Sequence, residues 1–308
     1  MEYEKIVLVT RKTRLDGLVE RFNTRGQAKF YIEHSGGDFS VYEREHEVYY
    51  AALRTLRANL APIAKVQEIE RSFLPNFMFS ETDLVVTIGI DGLVVNTAKY
   101  LNGQPLIAVN PDPAHIDGIL LPFNVETAAL AASRVRQGRF QERKITMAEA
   151  RLQDGQRLLA FNDLFIGART HISARYRIRV GEREERHSSS GIIVSTGVGS
   201  TGWLSSLFNM ANGMLNGFSP EGKPLPALRL AWDAEQLIFV VREPFISKTS
   251  GAVITCGQLS ADSPLLIESE MPEGGVIFSD GVEADFLAFN AGAVAWIGVA
   301  EKKTRLVI

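Results

Sequence analysis

The sequence predicts an α/β domain followed by an all-β, mostly antiparallel domain. In the first part of the chain, short apolar runs without polar alternation are separated by helical patterns, which is typical of an open parallel sheet. From about residue 140 onwards, apolar and polar residues alternate and turn signals recur, which is typical of antiparallel strands. The chain has 308 residues and is 45% hydrophobic, so it can fill the cores of two domains.

Apolar runs and helical spacing define the elements of the first domain. The predicted strands are the apolar runs at 6–10, 66–69, 84–88 and 106–109. Apolar residues at helical spacing predict helices over 41–60, 93–101 and 127–135. Asn124 is predicted to cap the last of these helices, which stops at Gly138.

Strands dominate the second domain, which begins near residue 140. Segments 144–152 and 156–161 flank Asp154 and Gly155, a hairpin signal, and segment 175–180 alternates strictly before Gly181. Further strands are predicted at 237–241, 253–256, 265–268 and 276–278. Residues 200–215 carry the one helical pattern of this half, and 220–226 is predicted to be a loop.

Composition excludes several classes of function. The net charge of −3 gives no field that would attract nucleic acid. Cys256 is the only cysteine, so a disulfide framework and a cysteine-based metal cluster are excluded, and the histidines have no metal-binding spacing. No apolar run approaches the length of a membrane span, and residues 1–5 resemble neither a signal nor a transit peptide. We expect a soluble, cytoplasmic protein with no nucleic-acid or membrane partner.

The turn at residues 89–92 is the first candidate site. Gly89, Ile90, Asp91 and Gly92 follow a predicted buried strand and open a predicted helix, so they lie at the carboxyl end of a parallel strand. Amides and the helix dipole at such a turn favour a phosphate, and glycines let the amides approach its oxygens. A carboxylate repels phosphates there unless a metal intervenes or it has a proton to remove. In the alternative interpretation, Asp91 only caps the helix.

A basic segment, Arg-Lys-Thr-Arg at 11–14, follows the first predicted strand. Because it stands just past the end of a parallel strand, its side chains could meet a phosphate. A solvated loop is the structural alternative for this segment.

Two further segments carry polar groups suited to a nucleotide. Asn162 and Asp163 directly follow a predicted strand, and an amide beside a carboxylate can bind the vicinal hydroxyls of a ribose. The structural alternative is an Asx turn. Residues 188–203 run from a strand into a turn rich in Gly, Ser and Thr that opens a helix, and Trp203 offers a flat stacking surface. A crowded strand-to-helix turn is the structural alternative there.

Together these segments resemble the NAD kinases. That family has a glycine–acid–glycine turn, an Asn–acid pair and a Ser-Thr-x-x-Gly-Ser-Thr segment, and the chain carries all three in this order. The resemblance spans nearly the whole chain, from VLVTRKTR at 7–14 to the C-terminus. It is strongest to the subgroup that includes the mitochondrial enzyme, through FNDLFIG at 161–167, SSG at 189–191, REP at 242–244 and FSDG at 278–281.

The resemblance implies an activity and a domain organisation. It implies that the γ-phosphoryl group of ATP is transferred to the 2′-hydroxyl of the adenosine ribose of NAD, giving NADP, with Mg²⁺ accompanying ATP. It implies a nucleotide-binding α/β domain at 1–138 and a β-rich NAD-binding domain at 139–289, with 290–308 a candidate to pack back on the first domain. It also implies a homodimer.

Roles for single residues follow from the same resemblance. Asp91 resembles the acid that activates the 2′-hydroxyl, while Gly89 and Gly92 resemble part of the loop that holds the ATP triphosphate. The residues that resemble NAD contacts are Asn162, Asp163, Thr201, Trp203 and Ser206. Asp280 falls in the family's late Asp-Gly motif and is a further candidate, and no residue is assigned as a metal ligand.

The glycine turn departs from the family pattern. The usual family turn is Gly-Gly-Asp-Gly-Thr, whereas this chain has Ile90 and Leu93 at the second and fifth positions. Ile90 places a β-branched side chain where glycine lets the backbone take any φ, and Leu93 removes a hydroxyl that could meet phosphate or metal. We expect Ile90 to hold the turn in a less open geometry and to weaken the grip on the triphosphate.

Three functions are therefore compared. An ATP-dependent NAD kinase is favoured because Asp91 is retained. A catalytically weak dinucleotide-binding or sensing protein of the same fold would have kept the NAD site and lost the ATP loop. A lipid or sugar kinase is disfavoured because Asn162, Asp163 and segment 188–206 suit NAD. NADH in place of NAD, and another donor in place of ATP, stay open as alternatives.

Overall fold

The computed structural model describes residues 3–219 and 221–308 of the chain. Three residues lie outside the described ones, namely Met1, Glu2 and Pro220. Pro220 is the first residue of the loop predicted for 220–226. The chain forms two compact units, Met1–Arg143 with Thr304–Ile308, and Lys144–Lys303. None of the described helices combines the length and the apolarity that a bilayer span requires.

The first unit alternates strands and helices. Its strands are β1 (Lys5–Thr10), β2 (Lys65–Glu70), β3 (Asp83–Ile88), β4 (Pro105–Asn110), β5 (Phe123–Asn124) and the end of the last strand of the chain, β17 (Val294–Val307). Its helices are α1 (Arg14–Phe22), α2 (Arg25–His34), α3 (Phe39–Leu60), α4 (Asp91–Ala98) and α5 (Ala128–Arg136), and a 3₁₀ helix covers Arg71–Asn76.

The strands of the first unit form a parallel sheet in the order β17–β4–β3–β1–β2. Val7 pairs with Val85, Val85 pairs with Leu106, and Arg305 of β17 pairs with Pro105. Strands β3 and β4 are buried along their whole length, as their continuous apolar runs predict. The predicted parallel sheet is confirmed.

Helices α3 and α5 pack on this sheet through their apolar faces. Leu56 and Leu60 of α3 and Ala132 of α5 are buried in one cluster with Val86 of β3. Each fully buried leucine or valine stabilises the fold by roughly 1.5–3 kcal/mol. This packing holds the strand ends, and the turns that follow them, in fixed positions.

The strand order creates a topological switch point between β1 and β3. From β1 the chain moves to β2 on one side, and from β3 it moves to β4 on the other side. In open parallel sheets, ligands bind in the crevice outside the carboxyl ends of the strands at such a point. Arg11 follows β1 and Gly89 follows β3, so both residues lie at this crevice.

The second unit consists mainly of strands. They are β6 (Glu142–Leu152), β7 (Arg157–Ala160), β8 (Asp163–Ala168), β9 (Ala174–Val180), β10 (Arg183–Ser189), β11 (Ile192–Ser195), β12 (Gln236–Val241), β13 (Cys256–Ser260), β14 (Leu265–Ser269), β15 (Gly275–Ser279), β16 (Val282–Ala288) and the start of β17. A 3₁₀ turn at Gly199–Thr201 leads into helix α6 (Trp203–Phe218).

Antiparallel pairing organises this unit into two layers. One layer has the order β10–β9–β14–β17 and the other has the order β13–β12–β11–β8–β15–β16. Side chains of both layers, including Ile178, Ile192 and Ile267, are buried in one cluster. Strand β9 alternates buried and exposed residues, as its sequence predicts. The predicted antiparallel β architecture is confirmed.

The predicted cap at Asn124 is wrong. The side chain of Asn124 accepts hydrogen bonds from the amides of Glu126 and Thr127, at 3.0 and 2.9 Å, and so closes a turn ahead of the helix. Its backbone belongs to β5 and pairs with Asn110. Helix α5 therefore begins at Ala128, with Thr127 in the N-cap position.

The strand predicted at 253–256 is also misplaced, because β13 covers Cys256–Ser260. The Glu185 carboxylate accepts hydrogen bonds from the amides of Val253 and Ile254, at 2.9 and 2.8 Å. A side chain thus occupies the donors that a strand would use in a ladder, and strand pairing starts later.

Helices α1 and α2 form where no element was predicted. Thr13 caps α1 and forms a capping box with Asp16, and Thr24 caps α2 by accepting a hydrogen bond from the amide of Gln27. The basic segment 11–14 is therefore the entry to a helix, and Thr13 within it is buried. The solvated-loop interpretation holds for Lys12 and Arg14, which are exposed, and does not hold for Thr13.

Candidate functional site

The glycine turn joins β3 to α4 at the carboxyl edge of the parallel sheet. The amide of Gly89 donates to the carbonyl of Val109 at 3.1 Å, which ties the turn to the neighbouring strand. Ile90 is the N-cap residue of α4, and its carbonyl accepts from the amide of Leu93 at 2.9 Å. The predicted strand-to-helix turn is confirmed, and it places Asp91 at the first position of the helix.

Two backbone amides hold the Asp91 carboxylate. The amide of Ile119 donates to one carboxylate oxygen at 3.2 Å, and the amide of Leu120 donates to the other at 3.0 Å. These hydrogen bonds tie Asp91 to a segment 28 residues away and orient the carboxylate. Each carboxylate oxygen has a second lone pair available to a further donor. The half-buried carboxylate is therefore fixed and can still accept a proton from a bound hydroxyl.

The backbone at Ile90 is unstrained. Its φ of −106° and ψ of 168° lie in the extended region that any residue adopts. The expectation that Ile90 holds the turn in a less open geometry therefore has no basis in the backbone conformation and is wrong. Leu93 is buried, so its side chain fills the interior beneath the turn. What distinguishes this turn is the half-exposed Ile90 side chain.

A cavity of about 290 Å³ lies over the turn within the first unit. Apolar side chains, including Val48, Tyr49 and Ile90, supply most of the lining, and charged or titratable side chains supply the rest. The charged and titratable lining residues are Arg11, Arg14, Arg44, Glu45, Asp112 and His115. The cavity stands at the switch point of the sheet, where a phosphorylated ligand is expected.

Asp280 anchors the Asn162–Asp163 pair in the second unit. The carboxylate of Asp280 accepts hydrogen bonds from the amides of Phe161, Asn162 and Asp163, at 3.0, 2.7 and 3.3 Å. Asp280 adopts a left-handed φ of 55°, an uncommon conformation for a residue other than glycine. Asp280 therefore fixes the backbone from which the Asn162 and Asp163 side chains project.

The Asp163 carboxyl group is buried, with 8% of the residue exposed. Burial, and secondarily the negative charge of Asp280, raise the pKa of Asp163 to about 7. Near neutral pH this carboxyl group is protonated for part of the time. It can therefore donate a hydrogen bond as well as accept one, which suits a ribose hydroxyl.

Thr196 and Gly199 bring the Gly/Ser/Thr turn against Asn162. The Thr196 hydroxyl donates to the carbonyl of Phe161 at 2.6 Å, and the Thr196 amide donates to the carbonyl of Asn162 at 2.9 Å. A Cβ atom on Gly199 would lie 2.1 Å from the carbonyl oxygen of Asn162. Only glycine permits this close approach of two backbone segments.

Gly199→Ala is expected to destabilise the protein by about 3 kcal/mol, the upper end of the usual cost of overpacking, because the clash is with backbone and not with a flexible side chain. The measurement is the free energy of unfolding by denaturant. Gly213→Ala is the matched control, since Gly213 lies within α6 and a Cβ there meets no atom within 4 Å. This control should gain about 0.5–1 kcal/mol. Equal stability of the two variants would contradict the close-packing argument.

The remaining sequence-predicted residues lie on the turn and helix that follow. Thr201 and Ser206 are exposed and donate hydrogen bonds to the local carbonyls of Val198 and Gly202. The Trp203 ring stacks on Phe165, with centroids 5.9 Å apart and planes 10° apart.

Trp203 also lines a cavity of about 340 Å³ in the second unit. The guanidinium carbon of Arg242 lies 5.7 Å from the centre of the Trp203 ring. Trp203 therefore presents to this cavity an aromatic ring that is held in place by Phe165 and Arg242.

Several residues that shape the site were not predicted as site residues. Thr196 and Gly199 belong to the Ser-Thr-x-x-Gly-Ser-Thr pattern, which the sequence shows. Their contacts with Asn162 could not be predicted from that pattern. Arg11 was noted only within a basic segment. Nothing in the sequence marked the pairing of Phe165 with Trp203.

Across residues 3–219 and 221–308, no group of three or more His, Cys, Asp or Glu side chains is placed to hold a metal ion.

Comparison with known proteins decides the family. No family model matches the chain. A curated NAD kinase from Heliobacterium modesticaldum (strain ATCC 51547 / Ice1) is 31% identical over 211 residues, which are 63% of this chain and 71% of that protein. The chain belongs to the NAD kinase family. Three further curated NAD kinases match at 26–29% identity, and the chain spans about half of their length.

Solved structures confirm the fold predicted for this NAD kinase family member. An NAD kinase from Archaeoglobus fulgidus in complex with ATP has a TM-score of 0.58 and 16% identity, with 98% of this chain and 93% of that chain covered. Yeast NADH kinase complexed with NADH has a TM-score of 0.56 and 14% identity, with 100% and 84% covered. At these identities the likeness shows the combination of an α/β part and an antiparallel β part.

Proposed function

We propose that this NAD kinase family member transfers the γ-phosphoryl group of ATP to the 2′-hydroxyl of the adenosine ribose of NAD, giving NADP. The observation that carries the proposal is the oriented Asp91 carboxylate in the glycine turn at the edge of the parallel sheet. It stands where amides and the helix dipole of α4 favour phosphate. Such a position suits a group that removes a proton from a hydroxyl nucleophile next to a phosphoryl donor.

Asp91 has the role of general base in this proposal. It accepts the proton of the 2′-hydroxyl as the oxygen forms a bond to the γ-phosphorus, and the bond from that phosphorus to the β–γ bridging oxygen breaks to release ADP. Phosphoryl transfer depends mainly on positioning and on neutralising charge, so the two amides that orient Asp91 contribute directly. Gly89 and Gly92 are proposed to leave the turn amides accessible to the triphosphate.

NAD recognition is assigned to the second unit. Asn162 and the partly protonated Asp163 are proposed to hydrogen-bond ribose hydroxyls, with Asp280 positioning both residues. Thr201 and Ser206 are proposed as polar contacts because their hydroxyls are exposed, and Trp203 as a stacking surface.

The metal, the oligomeric state, the location and the domain roles are proposed from the resemblance to the NAD kinases. Mg²⁺ is proposed to arrive with ATP as part of the substrate. The protein is proposed to be a cytoplasmic homodimer that is nearest to the subgroup with the mitochondrial enzyme. The domain assignment, 1–138 for ATP and 139–289 for NAD with 290–308 returning to the first domain, is likewise a proposal. A light-scattering mass of twice the monomer mass would support the homodimer, and a monomer mass would contradict it.

The decisive experiment is an assay of the purified protein for NADP formation with NAD, ATP and Mg²⁺. NADP that appears only when all three are present supports the proposal. Binding of NAD without NADP formation would instead favour a dinucleotide-binding or sensing protein. NADH and other nucleoside triphosphates, tested in the same assay, identify the preferred acceptor and donor.

Ile90→Gly and Ile90→Ala are expected to change the KM for ATP equally. Since the backbone at Ile90 is already extended, the freedom of glycine adds nothing, and both variants only remove a side chain that lines the cavity. Ile90→Gly should be less stable than Ile90→Ala by about 0.5–1 kcal/mol. Steady-state kinetics and melting curves of both variants provide the measurement. A KM that falls for Ile90→Gly alone would restore the original expectation of a strained turn.

A further inference from the structure

Arg11 stands beside the glycine turn. Strands β1 and β3 are neighbours, with Val9 paired to Thr87, so Arg11 and Gly89 leave the sheet side by side. A Cβ atom on Gly89 would lie 3.3 Å from Cδ and 3.4 Å from Nε of Arg11. The absence of a side chain at Gly89 therefore lets the Arg11 side chain pack closely against the turn.

Several contacts hold the Arg11 side chain in place. Its Nη2 donates to the Glu45 carboxylate at 3.0 Å, and its Nη1 donates to the carbonyl of Lys12 at 3.1 Å. The guanidinium carbon lies 5.1 Å from the centre of the Tyr49 ring, and 13% of the side chain is exposed. A guanidinium fixed in this way loses little conformational entropy when it binds a ligand.

One donor of this buried guanidinium is unused. Arg11 Nε has no hydrogen-bond acceptor within residues 3–219 and 221–308. A buried donor that lacks an acceptor destabilises a structure, and more so when it belongs to a charged group. This Nε atom is closed off from solvent beside Gly89, so an acceptor oxygen brought by a ligand reaches it only when the guanidinium turns towards the cavity.

The surroundings of Arg11 carry excess positive charge. Arg14 Nε donates to the second oxygen of Glu45 at 2.5 Å, so one carboxylate serves two guanidinium groups. Arg44 adds a third cation to the lining of the cavity. Asp112, the other acid in the lining, lies 2.9 Å from His115 Nδ1. The three arginines of the lining outnumber its two carboxylates.

We propose that Arg11, supported by Arg14, binds the polyphosphate chain of the phosphoryl donor in the cavity over the glycine turn. The identity of this ligand rests on the proposed function. A polyphosphate offers several charged acceptor oxygens in a row, which match the planar donor arrangement of a guanidinium. In this chain the arginine brings a cation to the phosphates at a turn where Leu93 offers no hydroxyl group.

The test measures binding of two probes, ATP and inorganic tripolyphosphate, by calorimetry. Arg11→Gln removes the cation, and the double variant Arg11→Gln/Glu45→Gln also removes the carboxylate that Arg11 shares with Arg14, so that the net charge of the cavity lining stays as in wild type. Both variants are expected to bind ATP and tripolyphosphate roughly 10- to 100-fold more weakly, and NAD within about twofold of wild type. Arg11→Lys, which keeps the charge and loses the Nε donor, should weaken both probes about tenfold.

Arg25→Gln is the matched control. Arg25 is 56% exposed and pairs with Glu43 at 2.6 Å on α2 and α3, so its loss should leave both probes unaffected. If folded Arg11 variants bind ATP and tripolyphosphate as tightly as wild type does, the inference about Arg11 is overturned. In that case, NADP formation by the wild-type protein would still support the proposed function. If wild type binds both probes and forms no NADP while the Arg11 variants lose binding, the phosphate site stands and the proposed function fails.

Discussion

Asp91→Asn is expected to lower kcat for NADP formation by about 10²–10⁴-fold, the usual cost of losing a general base. The amide oxygen of asparagine can accept one of the two hydrogen bonds from the amides of Ile119 and Leu120, but its NH₂ group cannot accept the other. The side chain also loses the ability to remove a proton. NAD affinity should stay close to wild type, because the NAD contacts are assigned to other residues. Steady-state kinetics and calorimetry with NAD provide the measurements.

Asp117→Asn is the control for this prediction. Asp117 is exposed and lies in the segment next to Ile119, so the variant makes the same change of charge close to the site. Its kcat should be unchanged. A melting curve of Asp91→Asn shows whether the 119–120 segment has become detached. If a folded Asp91→Asn variant keeps the wild-type kcat, Asp91 serves only to hold these two amides and the proposed mechanism is wrong.

Asp163→Asn is expected to stabilise the protein at about pH 8 by roughly 4 kcal/mol and to have little effect at about pH 4. Burial and the Asp280 charge raise the pKa of Asp163 to about 7 in the folded state. As the pH rises from about 4 to about 7, Asp163 ionises in the unfolded chain but keeps its proton in the fold. The folded state then binds more protons, so wild-type stability falls through this window and the loss is complete above it.

The Asp163→Asn variant carries a neutral side chain at every pH, so the difference in stability between variant and wild type should grow over the same window. Denaturant unfolding at several pH values measures it. Asp154→Asn is a control of opposite sign, since hydrogen bonds from the Gln156 amide and side chain hold the pKa of Asp154 below its usual value. That variant should show no gain at high pH. A pH-independent effect of Asp163→Asn would mean that the pKa of Asp163 is the same in the folded and unfolded states.

Sequence patterns correctly predicted the elements whose residues are buried in a regular pattern. The continuous apolar runs of β3 and β4 are buried at every position, and the alternating run of β9 faces a core on one side. Helices α1 and α2 were missed for different reasons. In α1, Leu15 is buried and Leu18 and Phe22 pack beside it at helical spacing, so the sequence carried a helical signal there. In α2 only Ala28 is buried, and its capping residue Thr24 is the more informative pattern.

The contacts that build the candidate site are long-range, and local patterns do not encode them. Asp280 binds the amide of Asn162 from 118 residues away. The hydrogen bonds of Asp91 to Ile119 and Leu120 likewise depend on how β3, β4 and the following segment are arranged. The pattern Gly-x-Asp-Gly indicated a reactive carboxylate, but its partners, and the place of Arg11 beside Gly89, became visible only in the fold. The prediction of a strained turn at Ile90 was wrong because the residue type at a motif position does not determine the backbone φ angle there.

The end of β17 affects the order in which the chain can fold during synthesis. Arg305 donates to the carbonyl of Gly103, 202 residues earlier, and Leu306 and Val307 are buried. At a typical 5–20 residues per second, a ribosome needs roughly 10–40 s to make the intervening chain. During that time β4 lacks its β17 neighbour, and its edge at Pro105 and Leu106 is open to other strands. The parallel sheet that carries Asp91 is therefore completed only when nearly all of this sequence has been translated.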